Sequence, residues 1–394
     1  MKRLLKSEIV TIGLAIFSML FGAGNLMFPI GVGIASGKYT IFGIAGLLIS
    51  AVILPLIGLV GMILFDGDYR KFFGRIGRIP GFLLLFASII VVGPGLAIPR
   101  IVTLSYEMMS PFLPAMPIYI FTFFFLGITF LLTFRESKIV DVLGNYISPI
   151  LLISLIIIII KGLWLAETAV PATATPLALF IGSFREGFGT LDLLGAIFFC
   201  SIILLILRQN LGQKVTKADQ KQLAFVGFKA GVLGISLLGL VYIGMALLGT
   251  FHGHGLNGNL GQLFSLVSFR VLGSYGALII GLAVLMACLS TSIALSAVVA
   301  EYVECDIFKK KIKFIPSLVI VTLLSVPLSI YGLGAVLQLT AGPIVDIGYP
   351  IIIVLTFCNI AYKLFNFKPV KTPVALVGLL AIVYYNWSSI STFF

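Results

Sequence analysis

The sequence predicts an all-α polytopic membrane protein whose first and sixth helices are discontinuous. The 394 residues are 60% hydrophobic and only 10% charged, with a mean hydropathy of +1.19, whereas soluble domains carry roughly a quarter charged residues. Apolar stretches long enough to cross a hydrocarbon core of about 30 Å recur along the whole chain. Two of these stretches are interrupted by small residues, at Phe21–Asn25 (FGAGN) and Phe188–Asp192 (FGTLD).

About eleven membrane spans are predicted, and they form one transmembrane domain over residues 1–394. Their approximate ranges are 8–31, 40–65, 81–104, 116–134, 144–165, 176–207, 222–250, 271–300, 315–334, 336–362 and 370–390. An odd number of spans places Phe394 outside the cell. The alternatives are a twelve-span pattern that has lost its last member, or one helix that has been split wrongly.

Basic residues cluster on one side of these spans. If the N-terminus is cytoplasmic, the clusters that also face the cytoplasm are Lys2, Arg3, Lys6, Arg70, Lys71, Arg75, Arg78, Arg135, Lys138, Arg208, Lys214, Lys217, Lys221, Lys309, Lys310, Lys311, Lys313, Lys363, Lys368 and Lys371. This distribution is the positive-inside bias of membrane proteins. The net charge of +12 therefore indicates orientation and not a nucleic-acid partner.

The two halves of the chain echo each other. Phe-Gly-x-x-Asn in the first break corresponds to Phe-Gly-x-x-Asp in the second, and Asn145–Pro149 corresponds in order to Asp346–Pro350. Five spans separate the copies, so the second is inverted. We expect five-helix repeats over 8–165 and 176–362, followed by an extra C-terminal helix at 370–394. Inverted repeats with broken helices are typical of alternating-access transporters. The alternative is a chance similarity of short apolar motifs.

The breaks are the predicted binding site. A broken membrane helix leaves backbone groups at bilayer depth, where only protein or a wet cavity can satisfy them. Free helix N-termini favour a carboxylate, and free carbonyls suit an ammonium group or Na⁺. Free amino acids are therefore the expected substrates, and the predicted binding residues are Gly22, Ala23, Gly24, Asn25, Gly189, Thr190, Leu191 and Asp192. The alternative for Asn25 and Asp192 is that each only caps its half-helix.

Two further groups are candidates for ion coupling or gating. The eighth span carries successive hydroxyls, of which Thr291 and Ser292 are hard oxygen ligands for Na⁺; alternatively, they bond back to their own helix. Arg100 and Asp346 are charged residues within predicted spans, which makes them functional candidates. We expect them to pair in an outer gate, or Asp346 to serve as a proton or cation site; alternatively, Arg100 extends to the membrane surface.

Four motifs in chain order resemble the branched-chain amino acid:cation symporters, the BrnQ-type carriers of bacteria. They are Phe21–Pro29 (FGAGNLMFP), Val92–Arg100 (VGPGLAIPR), Leu143–Pro149 (LGNYISP) and Thr190–Ala196 (TLDLLGA). The resemblance implies uptake of leucine, isoleucine and valine with Na⁺, or H⁺ in some relatives, across the bacterial inner membrane. It also implies the LeuT-like five-plus-five inverted-repeat fold of the amino acid–polyamine–cation superfamily.

By the pattern of that fold, Cys288, Thr291 and Ser292 face Phe21 across a sodium site. No organic cofactor is implied, and the partners are the amino acid, the coupling ion and membrane lipids, with no indication of oligomeric state. The chain departs from the family in two ways. It is shorter at its C-terminus, and Asp346 stands where a neutral residue is expected. Methionine or another large apolar amino acid remains an alternative substrate.

Other functions fit less well. No Gly-x-x-x-x-Gly-Lys-Ser/Thr loop is present for ATP-driven transport. An intramembrane enzyme needs a nucleophile with a base or a metal, but the two histidines, His252 and His254, fall in the outer loop 251–270. That His-x-His pair could bind a metal, the alternative being a flexible polar loop. A channel would show no saturation, and an amino acid exchanger of the same fold is the closest rival.

Overall fold

The computed structural model describes residues 6–110, 116–166, 168–211, 217–256, 261–273, 276–340, 342 and 344–391, and these contain helices and no strand. The first half of the chain forms α1 (Lys6–Leu20), α2 (Ala23–Ser36), α3 (Thr40–Leu48), α4 (Leu54–Leu64), α5 (Tyr69–Gly74), α6 (Arg78–Val92), α7 (Ala97–Met109), α8 (Ile118–Thr133), α9 (Ile139–Val142) and α10 (Ser148–Trp164). The second half forms α11 (Pro176–Glu186), α12 (Asp192–Leu211), α13 (Lys217–His252), α14 (Leu263–Leu272), α15 (Ala277–Tyr302), α16 (Phe314–Ile330), α17 (Leu333–Thr340), α18 (Tyr349–Phe365) and α19 (Lys371–Ser391).

The helices have the dimensions of a membrane protein. Seven helical stretches within the described ranges are long and apolar enough to cross a bilayer, and several shorter apolar helices accompany them. The first predicted span is divided between α1 and α2, and the sixth between α11 and α12. The all-α polytopic fold with two discontinuous helices is therefore as predicted, while the count of eleven spans stays a prediction.

Wide π turns occur at the two places where the sequence echo predicts correspondence. They cover Leu143–Ile147 and Ile344–Gly348, and the helix that follows each has proline as its second residue. Proline lacks an N–H and crowds the carbonyl four residues earlier, which belongs to Asn145 in one case and Asp346 in the other. The widened turn accommodates this mismatch. A third such turn, Ile49–Ile53, precedes Pro55, whereas a fourth, Val303–Ile307, has no proline shortly after it.

The two broken helices pack reciprocally. Both halves of the first, α1 and α2, contact α13, whereas the halves of the second, α11 and α12, contact α3 and α4. If a two-fold axis relates the two halves of the chain, the contacts of the first broken helix with α13 correspond to the contacts of the second broken helix with α3 and α4. The packing supports the repeats at 8–165 and 176–362, whose boundaries, with the extra helix at 370–394, stay a prediction.

Helix α15 forms the centre of the protein. Every residue from Ala287 to Ala300 is buried, and the helix contacts α1, α7, α8, α10, α12 and α16. Small residues allow helices to approach closely in membranes, and this stretch is rich in alanine and serine. The close packing positions Thr291 against the first break.

The described parts of the segment 251–270, residues 251–256 and 261–270, contain the end of α13 and most of α14, where the alternative interpretation predicted a flexible polar loop. His252 ends α13 and is buried, and its Nε2 lies 2.8 Å from the Gly162 carbonyl oxygen. The His254 Nε2 lies 3.2 Å from a different carbonyl oxygen, that of Thr168. The helix α14 that follows buries Phe264 and Val267. The two rings therefore contact separate carbonyls, and among the described residues no group of three metal-ligating side chains was found.

Candidate substrate-binding site

The first break is shorter than the sequence predicts. Only Phe21 and Gly22 separate α1 from α2, and Gly22 is extended, with φ −97° and ψ −170°. Gly24 and Asn25 lie in the first turn of α2, and the backbone amide of Asn25 donates to the carbonyl of the N-cap residue Gly22 at 3.1 Å. A Cβ added at Gly22 would lie 3.0 Å from the Thr291 hydroxyl oxygen, so glycine allows α15 to approach the break.

The second break is a tight turn followed by one unusual residue. A 3₁₀ turn covers Gly187–Thr190, and Leu191 adopts a left-handed conformation with φ 62° before α12 begins at Asp192. A left-handed non-glycine residue costs of order 1–3 kcal/mol, and such residues cluster at functional sites. A Cβ added at Gly189 would lie 2.7 Å from the ring of Phe28 in α2. The second break therefore packs against α2, the half-helix that follows the first break.

A buried polar junction joins the breaks. The side-chain amide of Asn25 donates to the Leu20 carbonyl at 2.9 Å and to the two Asp192 carboxylate oxygens at 3.0 and 2.9 Å. Tyr242, in α13, donates from its hydroxyl to Asp192 at 2.7 Å and also contacts the Asn25 amide. All three side chains are buried. The junction thus links both broken helices to α13 through one carboxylate.

Tyr242 is a site residue that sequence reasoning missed. It lies inside a long apolar span with no motif around it. Its only indication in the sequence is that a buried tyrosine hydroxyl usually needs a hydrogen-bond partner. Which span would supply that partner depends on the packing of α13 against α1 and α2.

The capping interpretation of Asn25 and Asp192 is wrong. The N-cap of α2 is Gly22, and Asn25 is already inside the helix, with its amide donating backwards to Leu20. Asp192 is the first residue of α12, and its carboxylate oxygens accept from Asn25 and Tyr242. Both side chains therefore bridge between helices.

Arg100 is deeply buried and does not extend to the membrane surface. Its side chain reaches from α7 into the second break, where Nη1 donates to the Gly189 carbonyl at 2.6 Å and Nη2 to the Thr190 carbonyl at 3.3 Å. On its other side a Cβ added at Gly24 would lie 3.3 Å from Nη2. Arg100 therefore lies between the two breaks.

The predicted pairing of Arg100 with Asp346 is wrong. Asp346 accepts two hydrogen bonds from Arg185 in α11, from Nε at 3.1 Å and from Nη2 at 2.8 Å. The sequence placed Asp346 well inside the tenth span, but α17 ends before it and the π turn at Ile344–Gly348 opens a new helix. Asp346 is thus at a helix start, within reach of α11.

The structure brings only part of the predicted sodium site together. The Thr291 hydroxyl donates to the Ser18 carbonyl near the end of α1, at 3.4 Å. Ser292 instead lies 3.2 Å from the Thr129 hydroxyl in α8, and Cys288 contacts Ser105 in α7. The Phe21 ring stacks on Phe17. Of the three α15 residues, Thr291 is the one that faces the first break.

A small cavity lies among these groups, with a volume of about 30 Å³. Its polar lining comes from both breaks, α7 and α15, through Asn25, Thr190, Asp192, Arg100 and Thr291. Its apolar lining consists of Met19, Leu20, Val92, Ala97, Ile101, Leu191, Phe199 and Leu295. Of the predicted binding residues, Gly22, Ala23, Gly24, Asn25, Thr190, Leu191 and Asp192 line this cavity. Gly189 contacts it indirectly, through its carbonyl bond to Arg100.

Comparison with known proteins identifies the family. The model of the family described as branched-chain amino acid transport protein matches residues 5–391. The chain belongs to this family. The branched-chain amino acid permease BraB of Bacillus subtilis (strain 168) is 30% identical over 389 residues, covering 94% of this chain and 84% of the permease. The permease BrnQ of the same organism is 30% identical over 378 residues, covering 93% and 84%.

These comparisons confirm the resemblance predicted from the motifs, and the chain is a membrane transporter and not an enzyme. A solved structure of a Na⁺-coupled sialic acid symporter is similar to it with a TM-score of 0.63 at 12% identity, over 96% of this chain and 88% of the symporter. Likeness at this identity concerns the fold alone, and it confirms the LeuT-like architecture of this branched-chain amino acid transport protein.

Proposed function

We propose that this transporter imports leucine, isoleucine and valine by symport with Na⁺ or H⁺ through alternating access. The observation that carries the proposal is the buried junction of Asn25, Asp192 and Tyr242, which lies where both broken helices meet. Buried polar groups of this kind in a membrane protein mark substrate or ion pathways. Broken helices at the midplane are where transporters of this architecture bind their substrates.

The cavity has a polar side and an apolar side, as an amino acid with a large apolar side chain requires. Asp192 and Arg100 supply opposite charges for a zwitterion, while Ile101, Phe199 and Leu295 supply apolar surface. Discrimination between side chains that differ by one methylene is worth only about 1–3 kcal/mol. Methionine is therefore expected to compete with the branched-chain substrates.

Transport requires the cavity to enlarge. At about 30 Å³ it is of a size suited to water molecules and is smaller than a leucine side chain. Separation of the helices that line it, α1 and α2 on one side and α7, α12 and α15 on the others, would admit the substrate. The inverted repeats would let this opening occur from either side of the membrane in turn.

Two groups support coupling to a cation. For Na⁺, the Ser18 carbonyl at the end of α1 and the Thr291 hydroxyl are hard oxygen atoms on facing helices; carbonyls at broken helix ends coordinate ions in such transporters. For H⁺, the Asp192 carboxylate is a proton acceptor at the junction.

The bacterial inner membrane is the expected location, and the charge distribution supports a cytoplasmic N-terminus. Lipid tails would cover exposed apolar side chains such as Phe123, Ile160 and Leu379.

The test is uptake of labelled leucine into proteoliposomes, with Na⁺ and proton gradients imposed separately. We expect saturable uptake that requires one of the gradients, competed by isoleucine, valine and methionine but not by lysine. Uptake that does not saturate would indicate a channel. Uptake that occurs only when the vesicles are preloaded with an amino acid, and that ignores both gradients, would contradict symport in favour of exchange.

A further inference from the structure

We infer that Arg100 binds the carboxylate of the transported amino acid. This role rests on the proposed function and deepens it. The sequence instead predicted that the free N-termini of the half-helices would hold the carboxylate. The N-terminus of α12, however, carries the carboxyl group of Asp192, which in its ionised form would repel a second carboxylate and attract an ammonium group.

The first observation is the burial of a positive charge that has no direct ion-pair partner, although the Asp192 carboxyl group lies near enough to interact with it electrostatically. Arg100 is 4% exposed, and no carboxylate of the described residues forms an ion pair with it within 4.0 Å. A buried charge is costly unless it is paired and hydrogen-bonded. Carbonyl acceptors at Gly189 and Thr190 satisfy it only partly, so a bound anion would complete its coordination.

The second observation is the free edge of the guanidinium. The Nε of Arg100 is buried and has no hydrogen-bond partner among the described residues, and the bond from Nη2 to Thr190 is long, at 3.3 Å. Carboxylates bind guanidinium groups through two parallel hydrogen bonds. The Arg185–Asp346 pair of this protein uses the same Nε and Nη2 edge. In Arg100 the N–H groups on that edge are the ones still available to bind a carboxylate.

The third observation is position. Arg100 lines the same cavity as Asp192 and Asn25, and Gly24 leaves space for its Nη2, since a Cβ there would lie 3.3 Å away. A zwitterion would direct its ammonium group toward Asp192 and its carboxylate toward Arg100. Because Nη2 carries two hydrogens, a carboxylate can bind at the Nε edge while Arg100 still holds the carbonyls of the second break.

The test compares two ligands on purified full-length protein, leucine and leucinol. Leucinol keeps the ammonium group and the side chain but lacks the carboxylate. We expect the wild type to prefer leucine by about 150-fold, the lower end of the range for two hydrogen bonds to a charged group. Arg100→Gln should reduce that preference to within about threefold while leucinol affinity stays within about threefold of wild type. Arg100→Lys keeps the charge without the planar fork and should give an intermediate preference.

Arg75→Gln is the matched control, because Arg75 also has a buried nitrogen without a partner in the described part of the chain but lies on the Tyr362 ring, away from the breaks. It should keep the wild-type preference. An undiminished preference in Arg100→Gln, or equal loss of both ligands in folded protein, would overturn the inference and leave the proposed function standing. If Arg100→Gln does not fold, an unchanged preference in Arg100→Lys overturns it. A wild type that binds neither ligand would refute the proposed function itself.

Discussion

The two breaks resemble each other in sequence but satisfy their backbone groups differently. At the first, the carbonyls of Ser18 and Leu20 accept from neutral donors, the Thr291 hydroxyl at 3.4 Å and the Asn25 amide at 2.9 Å. At the second, the carbonyls of Gly189 and Thr190 accept from the charged guanidinium of Arg100.

This difference indicates a division of roles. Hydrogen bonds from charged donors are roughly twice as strong as neutral ones, so the second break is held firmly by a group that can also meet an anion. The neutral bonds of the first break are weaker and leave carbonyl oxygens that a cation could recruit. Asp192 is bonded to Asn25 across the gap, so it ties the two breaks together.

The largest effect on transport is expected from substitution of Asp192, whose carboxylate joins the two breaks. Asp192→Asn replaces a carboxylate that accepts from Asn25 and Tyr242 with an amide whose own N–H groups would oppose the Asn25 amide. Loss of hydrogen bonds to a charged group corresponds to about 1.5–3 kcal/mol, or about 10- to 100-fold. Initial leucine uptake in proteoliposomes should fall by that factor.

Gly127→Ala is the control for reconstitution, because a Cβ there has no neighbour within 4 Å. It should transport at the wild-type rate. Asp192→Asn protein that keeps at least half of the wild-type uptake would show that the carboxylate does not couple the breaks.

A smaller and more selective effect is expected at the first break. Thr291→Ala removes the hydroxyl that faces the Ser18 carbonyl and should raise the Na⁺ concentration for half-maximal uptake roughly tenfold, the scale seen when one support of a metal site is lost. Leucine affinity at saturating Na⁺ should change less. Ser292→Ala, whose hydroxyl lies against Thr129, should shift the Na⁺ requirement less than Thr291→Ala. Equal shifts in both variants would contradict the assignment of Thr291 alone.

Tyr242→Phe should have a moderate effect. It removes one of the donors to Asp192 and leaves the Asn25 amide in place. One hydrogen bond is worth about 1 kcal/mol, so leucine affinity should fall about fivefold. A loss as large as that of Asp192→Asn would mean that the tyrosine hydroxyl has a separate role in transport.

The smallest effect is expected outside the breaks. Asp346 pairs with Arg185, whose side chain is 57% exposed, and exposed ion pairs contribute about 0–1 kcal/mol. Asp346→Asn should therefore keep uptake within about twofold of wild type under either gradient. If uptake by Asp346→Asn no longer depends on one of the gradients, Asp346 takes part in ion coupling after all.

The sequence-based predictions agree with the structure for features that depend on residues close together in the chain. Glycines and small residues at Phe21–Asn25 and Gly189–Asp192 mark helix breaks because a membrane helix otherwise satisfies its own backbone. The π turns at Asn145 and Asp346 follow from the prolines four residues later. Composition and hydropathy alone gave the polytopic fold, since few other folds bury so apolar a chain.

The predictions differ from the structure for side chains whose hydrogen-bond or ion-pair partners lie in distant parts of the chain. Arg100 looked like a residue near a helix end, and only the packing of α7 against both breaks shows that it is buried on their carbonyls. Asp346 has a suitable charge for Arg100 but is closer to Arg185, and Tyr242 had no motif to identify it. The sequence by itself determined which helices break, because that depends on residues within one helix. Only the tertiary structure decided which charged groups and hydroxyls meet at the breaks. A hydrogen bond acts over about 3 Å, and the residue pattern of a single helix does not specify distances of that size between helices.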